Sequence, residues 1–444
     1  MWLLKMIKAI LEWLLGHLLY LLFGGTRYIC LDLNKEAQQQ PDRVVSHRIG
    51  PPIKNCPHIA MINGPDSATL QQIISGRDPK LRETFNVFAN IFGIKNNPTS
   101  ATFILDVENG LKKRKKIKDM ISGKEKLNLL YTTSLEMISE EFKNWTTNQS
   151  VHKRLSHLVF KIFGNTVLGL DFVSENASEM FEEIEDRIIY HSEPILWGIP
   201  LTISQCKWLL TKWKYQRFIK ATIAKNKQSI LRGNNYIWTL MEEMAELKGG
   251  KPQDYIDCNE IAIGLSLFLA MGNLISLMAF SLYILMDEEI ASHLYQEIQK
   301  DALHNDYVDQ VYKELLRFIS PANLLSRYTS IERLIGEKQI PKGSFLMICL
   351  KSILHDPAKW HQPEKFNPHR QFPQTFIYPF IPFSTGERMC PGVQATEVVF
   401  KAFLYILKDY KFLPNDNFSI NQIPMHDPVI RLDPKYQARF VSRS

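Results

Sequence analysis

One cysteine in the chain lies where its ionised form would be favoured. In "FIPFSTGERMCPG" (residues 380–392), Cys390 has Gly386 four residues before it, Arg388 two before it and Gly392 two after it. Glycine allows a tight turn or the close approach of another group. Backbone amides beside a cation favour the thiolate, the form of cysteine that acts as nucleophile or metal ligand. The following stretch, "VQATEVVFKAFLYIL", has helical apolar spacing, so the sulfur would lie near a helix N-terminus whose partial positive charge also favours it. A structural cysteine in a turn is the plainer alternative. Cys30, Cys56, Cys206, Cys258 and Cys349 make no C-x-x-C pair and no zinc or disulfide spacing, so a reduced, cytosol-facing body is expected.

Three more places could carry chemistry. In "KELLRF", Glu314 and Arg317 stand three apart and share a helix face; an exposed pair of this kind would be worth little. "PEKFNPHRQF" supplies Phe366, Pro368 and Arg370. The run from Ile261 to Met286 has no charged residue and holds one polar pair, Gly272–Asn273, within "LFLAMGNLISLMAF". Its length suits a membrane span. A helix buried on every side by protein is equally apolar all round.

The elements that must hold these residues read as mostly helical. Apolar residues recur at three and four in 125–143, 151–169, 207–231, 259–299 and 306–319. Strand-like runs are few: "HIAMI" (58–62), "TFILDV" (102–107) and "SFLMICL" (344–350). From Pro357 to Pro391 the chain is dense in Pro and Phe and has little periodicity; long irregular segments of this kind usually carry function. The 444 residues, 45% hydrophobic and 22% charged, exclude bulk disorder. The net charge of +7 suits a membrane surface or an acidic protein, and no nucleic-acid partner is expected. The N-terminus, "MWLLKMIKAILEWLLGHLLYLLFGGTRY", is apolar but carries Lys5, Lys8 and Glu12, so it could span a membrane or lie on one. The expected plan is an anchor or interfacial helix over 1–25, a linker over 26–57 with the stiff turn Gly50-Pro51-Pro52, and one mainly α domain with a small β-rich portion over 58–444.

The whole string Phe383-x-x-Gly386-x-Arg388-x-Cys390-x-Gly392 resembles the haem-binding signature of the cytochrome P-450 family. That resemblance implies haem as cofactor with Cys390 as the axial iron ligand, Phe383 beside the sulfur and Arg388 on a haem propionate. It implies a second propionate contact at Arg327. It also implies a buried network joining Glu314, Arg317 and Arg370, for which the planar fork of arginine is well shaped. "RYTSIERLIGEKQIPKGSFLMICLKSILHDPAKW", between these elements, is similar to the family's stretch of short strands, its Pro341-Lys342-Gly343 turn and its His355-Asp356-Pro357 element.

Two departures stand out. The family's Trp-x-x-x-Arg propionate clamp has no counterpart in "GKEKLNLLYTTSLEMISEEF", where Lys124 or Lys126 would have to substitute. The helix over the haem usually carries an acid and a threonine that hold water and supply protons; here Ala270, Gly272 and Asn273 take that region, and Ser276 lies further along. Asn can hydrogen-bond but is no tuned proton donor. The Gly-Asn pair resembles the sterol 7α-hydroxylase and prostacyclin synthase branch. Three functions stay open: a monooxygenase acting on a sterol-like or fatty substrate with an NADPH-dependent reductase, an isomerase of lipid peroxides or endoperoxides needing no redox partner, and a haem-binding protein without turnover. The basic run Lys112, Lys113, Arg114, Lys115 and Lys116 would steer an acidic reductase. The resemblance implies an endoplasmic-reticulum membrane protein with its catalytic domain facing the cytosol.

Overall fold

The computed structural model describes residues 33, 35–40, 42–48, 58–64, 73, 107–170, 180, 183, 203–258, 271–329, 331–386, 389–415, 418 and 430–443. The expected anchor, most of the linker, most of "TFILDV", Ala270 and Arg388 lie outside them. Ten helices carry the argument: α1 (Val107–Ser122), α2 (Lys124–Asn144), α3 (Val151–Phe163), α4 (Ile203–Lys225), α5 (Tyr236–Lys248), α6 (Met271–Ile284), α7 (Glu288–Lys300), α8 (Asp306–Ile319), α9 (Leu350–Leu354) and α10 (Val393–Leu407). Strands β1 (Val44–Arg48), β2 (His58–Ile62), β7 (Phe345–Cys349) and β4 (Leu324–Tyr328) form a sheet in that order, with β2 parallel to β7 and the outer pairs antiparallel. A hairpin of β5 (Arg333–Ile335) and β6 (Lys338–Ile340) stands apart. So does a small sheet in the order β3 (Gln149–Ser150), β9 (Gln437–Ser442), β8 (Tyr410–Pro414).

The apolar run read over 259–299 breaks inside its length. Asp287 ends one helix and caps the next, its carboxylate accepting from the amides of Glu289 (3.1 Å) and Ile290 (3.2 Å). Cap and acidic first turn together satisfy orphan donors and the helix dipole. On the N-terminal side of that break α6 is buried from Leu274 to Ile284 and packs on α3, α8 and α10. Ser276 donates to the Ile430 carbonyl and Ser281 to that of Leu277, so both hydroxyls are satisfied inside protein. Among the described residues no helix is long and apolar enough to cross a membrane. Residues 274–284 are core by these protein contacts, as their order along the chain suggests; the first part of the run lies outside the described residues.

Helix α8 shows most plainly how local sequence sets position. Asn305 caps it, accepting from Tyr307 (2.9 Å) and Val308 (3.2 Å), with Asp306 and Asp309 in its first turn. Its apolar residues line one face, and Ser320 ends it in the left-handed region at φ 49°. Helix α2 lies along α10, and the last strand seals that pair. Phe440 stacks on Phe142 with centroids 4.1 Å apart, and Trp145 Nε1 donates to the Ala438 carbonyl at 2.7 Å.

Candidate functional site

The cysteine loop is shaped by its own backbone. Ser384 (φ 63°) and Gly386 (φ 73°) both take left-handed conformations, which turn the chain back on itself. The amide of Met389 then donates to the Gly386 carbonyl (3.1 Å), and the amide of Cys390 to that of Phe383 (3.0 Å). These bonds hold the half-buried sulfur just ahead of α10. The Gly392 amide donates to Sγ at 3.4 Å, and a methyl on Gly392 would come within 3.7 Å of the same sulfur. Phe383 is braced by an edge contact with Phe376 at 5.1 Å. An amide and a helix N-terminus therefore face Sγ, the environment that favours a thiolate.

The three residues Glu314, Arg317 and Arg370 meet. Arg317 gives Nε to Glu314 Oε2 (2.7 Å) and Nη2 to Oε1 (2.8 Å), a bidentate pair. Its remaining donors reach the carbonyls of Leu354 (3.0 Å), Pro363 (2.9 Å) and Lys365 (3.3 Å), so all five N–H groups are used. Glu314 Oε1 also accepts from Asn367 N (2.9 Å) and Arg370 Nε (3.0 Å). Arg370 spends its other nitrogens on the carbonyls of His361, Gln362 and Lys365. Glu314 and Arg317 are fully buried, so the pair is far from the weak surface bridge its spacing alone would allow. The irregular segment after Pro357 supplies the carbonyls of His361, Gln362, Pro363 and Lys365 to this network.

Arg327 is buried on β4, opposite Leu346 of β7. Asn273 is half-buried in the first described turn of α6, and its Oδ1 has no hydrogen-bond partner among the described residues. Gly272 beside it is buried, while Ser276, one turn on, is committed to Ile430. Lys126 cannot stand in for the missing clamp: its ammonium donates to the Asn234 carbonyl at 2.6 Å. Lys124, at the start of the same helix, is exposed. The helix that reaches the cysteine loop is instead α1, through Ser122 Oγ to the Pro391 carbonyl at 3.4 Å. That helix carries the basic run, of which Lys115 and Lys116 are exposed and Lys116 lies 3.5 Å from Glu246. The side chains of Lys112, Lys113 and Arg114 lie outside the described residues.

Two features escape sequence reasoning. At the C-terminal end of α8, buried Lys351 donates to the carbonyls of Phe318 and Ile319, and His355 Nε2 lies 3.0 Å from the Phe318 carbonyl. Burial, helped by the charge of Arg317, lowers the Lys351 ammonium to about 7. Burial and the neighbouring Lys351 and Arg317 charges lower His355 to about 2. A cation at a helix C-terminus satisfies its orphan carbonyls, but nothing in "CLKSIL" signals burial. The second feature is Tyr312 on α8, whose hydroxyl is buried with no hydrogen-bond partner among the described residues.

A family model described as Cytochrome P450 matches residues 58–440. Among curated proteins, mouse cytochrome P450 2B19 is 29% identical over 263 residues, 50% of this chain and 52% of that protein. Human cytochrome P450 3A5 is 31% identical over 160 residues, 31% of each chain. Pig thromboxane-A synthase is 34% identical over 113 residues, 24% of this chain and 21% of that one. These alignments span about half the length of the relatives or less. A solved structure, retinoic-acid-bound cyanobacterial CYP120A1, superimposes with a TM-score of 0.69 at 17% identity, covering 92% of this chain and 93% of the other. It establishes the likeness of fold.

Proposed function

This chain belongs to the cytochrome P450 family, whose members bind haem iron through a cysteine thiolate, and we propose that it is a monooxygenase with Cys390 as that ligand. The observation that carries the reading is the half-buried Cys390 sulfur at the head of α10, facing the Gly392 amide. The donor set fits the group: a thiolate-favouring sulfur, a glycine that leaves the sulfur's flank open and the buried cation of Arg327. Haem, when bound, supplies the activation of dioxygen. Gly386 and Gly392 shape the loop, Phe383 shields the sulfur, and Arg388 and Arg327 bind the propionates. Glu314, Arg317 and Arg370 fix the segment beneath. Ala270, Gly272 and Asn273 line the oxygen side, where Asn273 can orient a water or substrate oxygen but donates no acidic proton.

The substrate is lipophilic, sterol-like or fatty, and electrons come from an NADPH-dependent reductase steered by the basic run Lys112 to Lys116 of α1. Residues 1–25 anchor the protein to the endoplasmic-reticulum membrane, and the haem domain on the cytosolic side takes in β1 (Val44–Arg48) from the stretch read as a linker as well as 58–444. The test is the ferrous–carbon monoxide spectrum of the purified protein, with Cys390→Ser as control. A thiolate-type spectrum lost in the variant, with turnover that requires NADPH and reductase, is the expected result. Haem bound without that spectrum would sink the assignment of Cys390.

One set of observations favours a second reading, an isomerase of lipid peroxides. Among the described residues the Ser276 hydroxyl, one turn from Asn273, is spent on Ile430 and Asn273 Oδ1 has no hydrogen-bond partner, and one relative is a thromboxane-A synthase. Rearrangement needs neither proton delivery nor external electrons. Turnover of a lipid hydroperoxide without reductase would select it over the monooxygenase.

A further inference from the structure

Helix α6 carries two buried serines, and they spend their hydroxyls differently. Ser281 donates back to the Leu277 carbonyl one turn before it, the usual resort of a serine inside a helix. Ser276 donates instead to the Ile430 carbonyl, 154 residues along the chain. The amide of Ile430 in turn donates to the Pro321 carbonyl at 3.2 Å, in the connection between α8 and β4. The two main-chain polar groups of one fully buried residue therefore brace α6 against the connection that leads into the strand of Arg327.

The brace belongs to a longer line of contacts. Asn273, Ser276, Phe280 and Tyr283 stand three or four apart and share one stripe of α6. Chain from between β8 and β9 lies along that stripe. Phe418 packs on Phe280 (5.8 Å between ring centroids) and on Tyr283 (4.7 Å), and Tyr436 meets Phe418 edge-on at 5.2 Å. The Tyr436 carbonyl accepts from the Val151 amide at 3.0 Å, which pins the far end of the stretch to α3. Back along the stripe the contacts pass from Tyr283 and Phe280 to Ser276. The next position is Asn273, whose Oδ1 has no hydrogen-bond partner among the described residues.

We propose that Ser276 is a positioning residue that determines specificity. Its tie to Ile430 sets how close residues 430–432 stand to the Asn273 turn, and so how bulky a ligand the oxygen side admits. The proposal rests on Cys390 being the iron ligand and on Asn273 belonging to the oxygen-side wall. The hydroxyl is committed to a carbonyl, so its part is geometric and not proton transfer. Without it the buried Ile430 carbonyl loses its partner. The stretch relieves that cost by moving off α6 or by admitting water, and either change widens the space beside Asn273.

The test uses the haem-loaded full chain and two probes that ligate ferric iron, imidazole and the bulkier 4-phenylimidazole, titrated by displacement of the Soret band. In Ser276→Ala the Kd of 4-phenylimidazole relative to that of imidazole should fall about fivefold, the net worth of one hydrogen bond. Ser276→Thr, which keeps the hydroxyl, should restore the wild-type ratio. An unchanged or raised ratio in Ser276→Ala would overturn the proposal, since a merely structural hydroxyl lowers the melting temperature without sorting ligands by size. Should Ser276→Ala fail to load haem, Ser276→Cys, whose thiol is a weaker donor, carries the same comparison. Amide hydrogen exchange gives a reading that needs no probe. Ile430 should exchange faster in Ser276→Ala than in Ser276→Thr, and equal protection counts against the brace. Wild-type protein lacking the thiolate spectrum refutes ligation by Cys390 instead, so the two failures are distinguishable.

Discussion

The Glu314–Arg317–Arg370 cluster and the Gly272–Asn273 turn both bury polar atoms, and they treat them oppositely. In the cluster Glu314 takes four donors, and every N–H of Arg317 has an acceptor. At the α6 turn Asn273 Oδ1 has none among the described residues, and the nearby Ser276 hydroxyl is turned away. A buried polar group that only has to hold still can be satisfied completely, because its neighbours never change. One that must receive an exchangeable partner is left open, at a cost in stability of about 1–3 kcal/mol. The first region is built for rigidity; on the function proposed above, the second is left open for reaction.

That contrast is open to direct attack. The largest effect should come from Glu314→Gln, which leaves two buried guanidinium groups without their counter-charge. It should cost about 3–5 kcal/mol, seen as a lower urea midpoint with loss of bound haem; a midpoint within error of wild type would contradict the rigid reading.

Next comes pH. Lys351 falls from 10.5 in the unfolded chain to about 7 in the fold, so the unfolded state holds more protons between those values. Stability from this group therefore rises as pH rises from 7 towards 10.5, and Lys351→Met should flatten that slope. His355, lowered from 6.5 to about 2, works in the acid range. Its contribution is complete above pH 6.5 and is lost progressively as pH falls towards 2, a loss His355→Gln should lessen. Urea midpoints across pH 4 to 10 for the three proteins decide both.

Asn273→Ala should act the other way round from Glu314→Gln. Stability should rise, by up to about 1–3 kcal/mol, because the buried atom removed is uncompensated, while turnover should fall by about tenfold or more. Unchanged turnover would make Asn273 a packing residue. The smallest effect on the fold belongs to charge reversal of Lys112, Lys113 and Arg114. It should leave the melting temperature alone yet weaken reductase-driven turnover and its salt dependence.

The parts of this architecture that sequence makes legible are those with a local or spaced signature. Helix α8 is readable from its amphipathic face, and its bounds match the periodicity over 306–319. The cysteine segment and the three network residues are readable from motif spacing, because each chemistry requires a fixed residue type. The break at Asp287 was also visible in principle, since Asp followed by two Glu is a helix-start signal that apolar periodicity overrode. Strands such as β1, β8 and β9 carry no such mark. Each is five or six residues long, and partners far along the chain decide its pairing. Lys351 and Tyr312 are harder still. Their surroundings depend on which carbonyls and charges tertiary packing delivers to them, and neither residue type announces burial.

The Phe440–Phe142 stack has a consequence for synthesis. The bulky aromatic lid of the α2–α10 core is carried on the last strand, residues 437–442, almost 300 residues after the rings it covers. Until that strand leaves the ribosome, Phe142 and Trp145 have no cover on this side. Closure of this side of the core thus waits on that strand, and a nascent chain stalled short of Gln437 presents an aromatic surface to chaperones.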